Sequence, residues 1–338
     1  MNITLAVAVS VLPVFLFLGA LVLLDSYKLI PLPAILVAVA AGAAAGVGAY
    51  GVNTSVQPLL NMDMAAYTKY VAPFLEETLK AIYIVILFRR NRVGFVVDAA
   101  TYGFAIGTGF AFIENLYSLQ THPNPTIWTW IVRGFGTALM HGGTTAIFAM
   151  ITRKLHNRSP SFRLALALPG LAGAIVLHSL YNQFLVAPLL ATALIVLVFP
   201  YVFIFLFQQS ERETRSWLGT GFDTDQELLR VMRAGEVSDT PVGQYLKTLR
   251  VSFPPEVIVD MMCLLRLRAE LGIRAKGILL MREAGFESEP DPALSAKLDE
   301  VRYLERSIGR TGMRALKPFV HTSTQDIWQL NLLDGAQR

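Results

Sequence analysis

Charged residues are scarce in this chain. Only 16% of its 338 residues are charged, whereas an ordinary soluble domain carries about a quarter. Cysteine is nearly absent too, and the single Cys263 can form neither an internal disulfide nor a CxxC pair. The HExxH motif of helical zinc sites is missing. These absences argue against a soluble enzyme core, a disulfide-stapled fold and a zinc site of the HExxH type. The hydrophobic share of 54% and the mean hydropathy of +0.48 instead predict a membrane protein.

The few charges divide the chain into two parts. Residues 1–209 hold 6 of the 25 acidic and 11 of the 29 basic residues, which leaves 19 acidic and 18 basic residues for 210–338. We therefore predict a membrane-embedded core over 1–209 and a small helical cytosolic domain of unknown role over 210–338. Within the latter, 255–271 and 293–307 have the pattern of amphipathic helices. The predicted fold class is all-α, a polytopic bundle of membrane helices.

Seven apolar segments are long enough to cross a hydrocarbon core of about 30 Å. They lie near 4–24, 30–52, 70–88, 95–119, 126–152, 163–187 and 189–207. Basic residues cluster after the third, fifth and seventh segments, which places the N-terminus outside and the tail in the cytoplasm. We predict a multi-pass protein of the plasma membrane, surrounded by the lipid bilayer. The pI of about 9.2 comes from these basic loops, so no nucleic-acid partner is predicted.

Small residues are concentrated in two of the predicted spans. The second span carries an alanine- and glycine-rich run at 40–46, and the fourth carries Gly103 and Gly107 four residues apart. Small side chains at this spacing allow helix backbones to approach closely. We therefore expect these spans to pack tightly against their neighbours.

Two adjacent glutamates, Glu76 and Glu77, lie inside the third predicted span. A carboxylate in the bilayer core is costly unless it is paired, protonated or facing water. The next three spans carry further unusual polar groups, namely Glu114, Arg133, His141, His178 and Asn182. With a rise of about 1.5 Å per residue, all of them fall between the outer half and the middle of the bilayer. Because they share this depth, we expect them to meet.

Helical spacing pairs several of these groups. Lys80 lies four residues after Glu76 and three after Glu77, so it can pair with either glutamate. His178 and Asn182 are four residues apart and therefore share one face of their helix. Three carboxylates, two fixed cations and two imidazoles then form one cluster, in which a carboxylate can take a proton from water.

Simpler explanations exist for the same residues. A Glu76–Lys80 ion pair can merely join helices. His141 can hydrogen-bond a neighbouring backbone, and Arg133 can neutralise a glutamate. Each explanation treats its residue as structural, and none of them accounts for the whole cluster.

Motifs on four successive predicted spans carry a resemblance to a known family. In chain order they are Glu76-Glu77-x-x-Lys80, Phe110-x-x-x-Glu114-Asn115, His141, and His178-x-x-x-Asn182. Together they resemble the PrsW family of intramembrane proteases, which is related to the CAAX-processing membrane endopeptidases. The resemblance covers roughly residues 65–190, makes 1–209 a protease core and leaves the tail out. It implies a hydrolase of the glutamate type.

The resemblance implies catalytic roles for the residues of the third and sixth spans. Glu76 is expected to activate a water molecule. Glu77 is expected to be its partner, held in place by Lys80. His178 and Asn182 are expected to bind the water and to stabilise the developing oxyanion.

The fourth and fifth spans complete the implied site. Glu114 occupies a position that is histidine in the prenyl-processing branch, and His141 fits an additional histidine of the PrsW branch, so both are expected among the catalytic residues. Phe110, Asn115 and Arg133 are expected to support them. No cofactor is expected. If zinc is bound, its ligands are expected to be Glu76, Glu114, His141 and His178.

The resemblance also suggests a partner and leaves other functions open. The expected substrate is a membrane-anchored regulatory protein similar to an anti-sigma factor, while the oligomeric state stays open. One alternative is a non-enzymatic transporter or receptor that uses the intramembrane Glu/His/Arg cluster. The other is a prenyl-protein (CAAX) endopeptidase, which needs a site accessible from the cytoplasmic side.

Overall fold

The computed structural model describes residues 3–121, 125–156, 162–286 and 292–319, together with positions 325, 328, 329, 332 and 333. These residues form helices joined by short connections, with no strand among them. Contacts divide the chain into two compact units, Met1–Ser210 and Glu211–Arg338. The predicted all-α class is confirmed.

Ten helices longer than eight residues make up the described part of the chain. In order they are α1 (Ile3–Leu24), α2 (Leu32–Val56), α3 (Ala72–Arg89), α4 (Val96–Thr121), α5 (Ala138–His156), α6 (Leu168–Asn182), α7 (Pro188–Ala234), α8 (Pro241–Leu249), α9 (Pro255–Glu283) and α10 (Pro292–Leu316). Single turns occur at Gln57–Leu59, Met64–Ala66, Ile127–Ile131, Leu164–Leu166 and Glu236–Asp239. Two π-helical turns, Tyr67–Val71 and Val132–Thr137, lie before α3 and α5.

Several helix ends differ from the predicted spans. The helix α2 continues to Val56, although the second span was predicted to end at 52. The helix α6 ends at Asn182 rather than at 187, and α7 runs on to Ala234 rather than stopping at 207. Hydrophobicity marks where apolar residues end, whereas a helix continues for as long as its backbone hydrogen bonds are made.

Five helical segments among the described residues are long and apolar enough to cross a membrane. They are Ile3–Leu24, Leu32–Leu59, Val96–Thr121, Leu164–Asn182 and Pro188–Ala234. The helices α3 and α5 are not among them, because α3 carries four charged residues and α5 is rich in glycine, threonine and basic residues. The class of membrane helical bundle is therefore confirmed, while the count of seven spans and the orientation stay predictions.

The helix α4 lies at the centre of the first unit, where it packs against α1, α2 and α5 and is buried along most of its length. Glycines allow these close approaches. A Cβ atom at Gly107 would lie 2.3 Å from the carbonyl oxygen of His141, and one at Gly103 would lie 2.6 Å from Cα of Ala146. The close packing predicted from the small residues is confirmed. It places the first half of α4 directly beside α5.

Replacing Gly107 by alanine is expected to lower the free energy of unfolding by about 1–3 kcal/mol, because the new methyl group meets backbone rather than a movable side chain. Thermal unfolding of the purified protein in detergent measures the effect. Gly48→Ala on α2 is the matched control, since a Cβ there has no neighbour within 4 Å. Equal melting temperatures for the two variants would contradict the close approach of α4 and α5.

The second unit has a hydrophobic core of its own. The helices α9 and α10 pack together through buried leucines such as Leu264, Leu298 and Leu304, and Cys263 packs at the edge of this core. The two amphipathic stretches predicted at 255–271 and 293–307 are confirmed as parts of α9 and α10.

Candidate active site

The two adjacent glutamates of α3 lie in different surroundings. Both follow the π-helical turn Tyr67–Val71 and belong to the second turn of α3. The side chain of Glu77 is only 1% exposed, while that of Glu76 is 16% exposed. Neighbouring helix positions point about 100° apart, so one glutamate faces the protein interior and the other keeps an opening.

Side chains from three helices contact one oxygen of Glu77. Its Oε1 accepts hydrogen bonds from Nζ of Lys80 at 2.5 Å, from Nδ1 of His178 at 2.8 Å and from Oγ1 of Thr144 at 3.3 Å. Lys80 is completely buried. Of the two glutamates that its spacing allowed, Lys80 therefore pairs with Glu77 and not with Glu76. A buried carboxylate and a buried ammonium compensate each other here.

Both ring nitrogens of His141 are engaged. Its Nδ1 lies 3.1 Å from Nζ of Lys80, and its Nε2 lies 2.6 Å from Oε2 of Glu114. A lysine ammonium has only donors, so it donates to Nδ1, and Nε2 then carries the proton that it donates to Glu114. The ring of Phe110 lies 4.5 Å below the ammonium of Lys80 and so adds a cation–π contact.

The other oxygen of Glu114 is bound by Arg133. The guanidinium Nη2 lies 2.9 Å from Oε1 of Glu114, and its Nε donates to Oδ1 of Asn115 at 3.0 Å. Asn115 in turn donates to the carbonyl oxygen of Ser10 on α1 at 2.6 Å. Arg133 therefore neutralises Glu114, as the simpler explanation held, and Asn115 holds the guanidinium of Arg133 in place.

Glu76 faces His178 across a short gap. Its Oε2 lies 3.9 Å from Nε2 of His178, while its Oε1 accepts a hydrogen bond from Nδ2 of Asn53 at 3.2 Å. The gap is too long for a direct hydrogen bond, yet one water molecule at about 2.8 Å from each atom can contact both. The ring of His178 meets that of His141 edge to face, with centroids 4.8 Å apart.

Asn182 is the expected site residue that the structure does not bring into this cluster. Its Nδ2 donates to the carbonyl oxygen of Thr68 at 3.0 Å, and Ser179 donates to that of Lys69. Both carbonyls belong to the π-helical turn before α3, where the usual i→i+4 bonds are displaced. Asn182 therefore ties α6 to this turn, and an oxyanion role for it requires the release of Thr68.

Two residues of the cluster are absent from the motifs. Thr144 lies three residues after His141 on the same face of α5, a spacing that the sequence shows. Asn53 lies one residue beyond the predicted end of the second span at 52, so the predicted spans do not include it. Only the observed length of α2 brings it to Glu76.

A comparison with protein families agrees with this cluster of glutamates and histidines. The sequence model of the PrsW family of intramembrane metalloproteases matches residues 30–207, slightly more than half of the chain. The chain belongs to the PrsW family. It is therefore an intramembrane protease, a hydrolase whose substrates are membrane proteins. No curated protein and no solved structure matches it.

The description of the PrsW family as metalloproteases implies a metal site, and three residues of the cluster offer ligands for one. Glu76, His141 and His178 each offer a ligand atom, and these atoms lie within 4.8 Å of one another. Two histidines and one glutamate are the ligands of some catalytic zinc sites, and Glu77 binds the second nitrogen of His178 as an outer carboxylate. The donor set fits a metal. Glu114 lies outside this group, contrary to the expected ligand set.

A metal at this point changes the contacts of His141. Both of its nitrogens already have partners, so coordination requires it to leave either Lys80 or Glu114. The ammonium of Lys80 also adds a fixed positive charge 3.1 Å from the ring. These two contacts oppose a divalent cation, whereas His178 and Glu76 are arranged to accept one.

Proposed function

We propose that this PrsW protein cuts a membrane-anchored regulatory protein, with a water molecule activated by Glu76. The supporting observation is that fixed cations pair with two of the three carboxylates. Lys80 binds Glu77 and Arg133 binds Glu114. Among the described contacts, Glu76 meets no fixed cation, because its neighbours are the neutral amide of Asn53 and the imidazole of His178. It is the carboxylate that can exchange a proton.

Glu77 prepares His178 for this reaction. Glu77 accepts a hydrogen bond from Nδ1 of His178. The neutral imidazole therefore carries its proton at Nδ1 and keeps a lone pair at Nε2. That lone pair accepts one hydrogen of the water, and Oε2 of Glu76 accepts the other. The water oxygen is then oriented by two fixed acceptors, with its own lone pairs free to attack.

The hydrolytic steps follow from this arrangement. Glu76 takes a proton from the water while the water oxygen forms a bond to the carbonyl carbon of the substrate. The carbon–nitrogen bond then breaks, and Glu76 returns the proton to the leaving amine. If a divalent metal is held by Glu76, His141 and His178, it supplies a Lewis acid that polarises the carbonyl and makes the water more acidic.

The proposed substrate rests on the family resemblance and on the predicted location of the cluster. The polar groups lie in the outer half to the middle of the bilayer by the predicted topology, so the cleaved bond is expected near the external end of a membrane anchor. A membrane-anchored anti-sigma factor or similar regulator in the plasma membrane has such a segment. The tail, predicted to be cytosolic, supplies none of the residues of this proposal, and its role stays open.

Cleavage by the purified full-length chain in liposomes tests the proposal. The probes are single-span fusion proteins whose juxtamembrane segments come from membrane-anchored anti-sigma factors, presented on either side of the membrane. We expect a product cut on the external side, mapped by mass spectrometry. Proton-coupled uptake into the same liposomes, with no cleavage of any fusion protein, would favour the transporter alternative and overturn the proposal.

Metal removal distinguishes the two possible roles of Glu76. With Glu76 as the base, we expect cleavage to survive chelation and the purified chain to hold much less than one zinc per molecule. Elemental analysis and chelator treatment followed by zinc addition provide the measurement. One equivalent of zinc, lost together with activity and restored with it, would contradict this expectation and make Glu76 a ligand.

A further inference from the structure

Glu76 has a direct contact with a residue that lies outside the sequence motifs. Asn53 lies in the last turn of α2, the helix that packs beside α3. Its Nδ2 donates to Oε1 of Glu76 at 3.2 Å. The opposite oxygen of Glu76, Oε2, is the one that faces His178. Asn53 therefore engages the oxygen that the proposed chemistry does not use.

A second contact agrees with the orientation in which the amide nitrogen of Asn53 faces Glu76. The hydroxyl of Tyr67 donates to Oδ1 of Asn53 at 2.9 Å. Tyr67 is 3% exposed and begins the π-helical turn before α3. An asparagine amide has one acceptor end and one donor end, so a hydroxyl at the oxygen leaves the nitrogen for Glu76. With the amide reversed, its oxygen would face a carboxylate and repel it.

We propose that Asn53, oriented by Tyr67, is a positioning residue that holds the carboxylate of Glu76 with Oε2 directed at the water site. This inference rests on the proposed function, in which Glu76 is the base. A neutral donor suits the task, because it orients the carboxylate without forming the ion pair that occupies Glu77 and Glu114. Without Asn53, Glu76 can rotate about its side-chain bonds and lose its alignment.

Kinetics of the full chain in liposomes test the role, with the anti-sigma fusion proteins as probes. Asn53→Ala is expected to lower kcat by about ten- to a hundredfold, the effect of one hydrogen bond to a charged group, with KM within about twofold of the wild type. The aspartate of Asn53→Asp has the same shape and still accepts a hydrogen bond from Tyr67, but it lacks the N–H donor. Its kcat is therefore expected to fall at least as far as that of Asn53→Ala.

Tyr67 is expected to act only through Asn53. Tyr67→Phe is therefore expected to lower kcat in the wild-type background and to have no further effect when combined with Asn53→Ala. Ser55→Ala is the matched control on α2, since the hydroxyl of Ser55 is exposed and binds its own helix at Gly51. Equal losses from Tyr67→Phe in both backgrounds would overturn the linked arrangement.

An infrared measurement decides the contact without relying on activity. The carboxyl stretching band of Glu76 is assigned by its loss in Glu76→Gln, and it is expected to shift in Asn53→Ala but not in Ser55→Ala. An unmoved band overturns the proposal. An Asn53→Ala variant as fast as wild type, alongside an inactive Glu76→Gln, also overturns it and leaves the proposed function intact. Equal cleavage by wild type and Glu76→Gln instead refutes the proposed function.

Discussion

Glu76→Gln is expected to lower the rate of peptide cleavage by about 10²- to 10⁴-fold, the usual contribution of a general base. The amide of glutamine has the shape of the carboxylate, and its oxygen can still accept from Asn53, so the contact between α2 and α3 persists. It cannot take a proton from water. The rate is measured with the anti-sigma fusion proteins in liposomes, and thermal unfolding is measured alongside it.

Thr78→Ala serves as the control for this variant. Thr78 lies two residues further along α3, and its hydroxyl binds its own helix at the carbonyl oxygen of Phe74. Full activity is expected, together with an unchanged melting temperature. If Glu76→Gln also cleaves at the wild-type rate, Glu76 is not the base. If it unfolds, the loss of activity says nothing about proton transfer, and an unchanged melting temperature is therefore part of the prediction.

The second large effect is expected on stability, for Lys80→Met. The ammonium of Lys80 is fully buried and lies between Glu77 and His141. Its removal leaves the carboxylate of Glu77 buried without a compensating charge, which costs about 3–5 kcal/mol. Cleavage is expected to fall as well, since Glu77 orients His178. Reversible unfolding in mixed micelles gives the change in the free energy of unfolding.

A double variant separates charge imbalance from lost packing. Glu77→Gln combined with Lys80→Met removes both charges, so it is expected to recover most of the lost stability while remaining impaired in cleavage. Lys154→Met, at an exposed lysine near the end of α5, is the control and is expected to change stability little. Equal destabilisation by the single and the double variants would show that the pair contributes through packing alone.

Much of the site could be predicted from the sequence because polar residues are rare in apolar spans. Glu77, Lys80, Glu114, His141 and His178 all lie in the cluster in which they were expected. Each is costly in lipid, so their presence on successive spans indicated that they meet. The catalytic roles assigned to them stay predictions.

The details that residue spacing alone could not decide concern directions around a helix. On an isolated helix, i,i+3 and i,i+4 partners are both near neighbours, so the spacing of Lys80 could not choose between Glu76 and Glu77. Asn182 shares a face with His178, yet it lies one turn further along and meets the π-helical turn instead of the cluster. A π-helical turn rotates the residues that follow it, and no residue pattern indicated its presence.

The sequence by itself determined the class of the protein and the chemical groups available to it. Long apolar stretches must be helical in lipid, because every backbone hydrogen bond has to be made within the segment. The resemblance already implied that Lys80 holds Glu77, but only the tertiary structure decided that Arg133 neutralises Glu114 and that Glu76 is left beside a neutral amide. Such pairings depend on how far each helix is rotated and how closely it packs, and a one-residue rotation of about 100° exchanges the two glutamates.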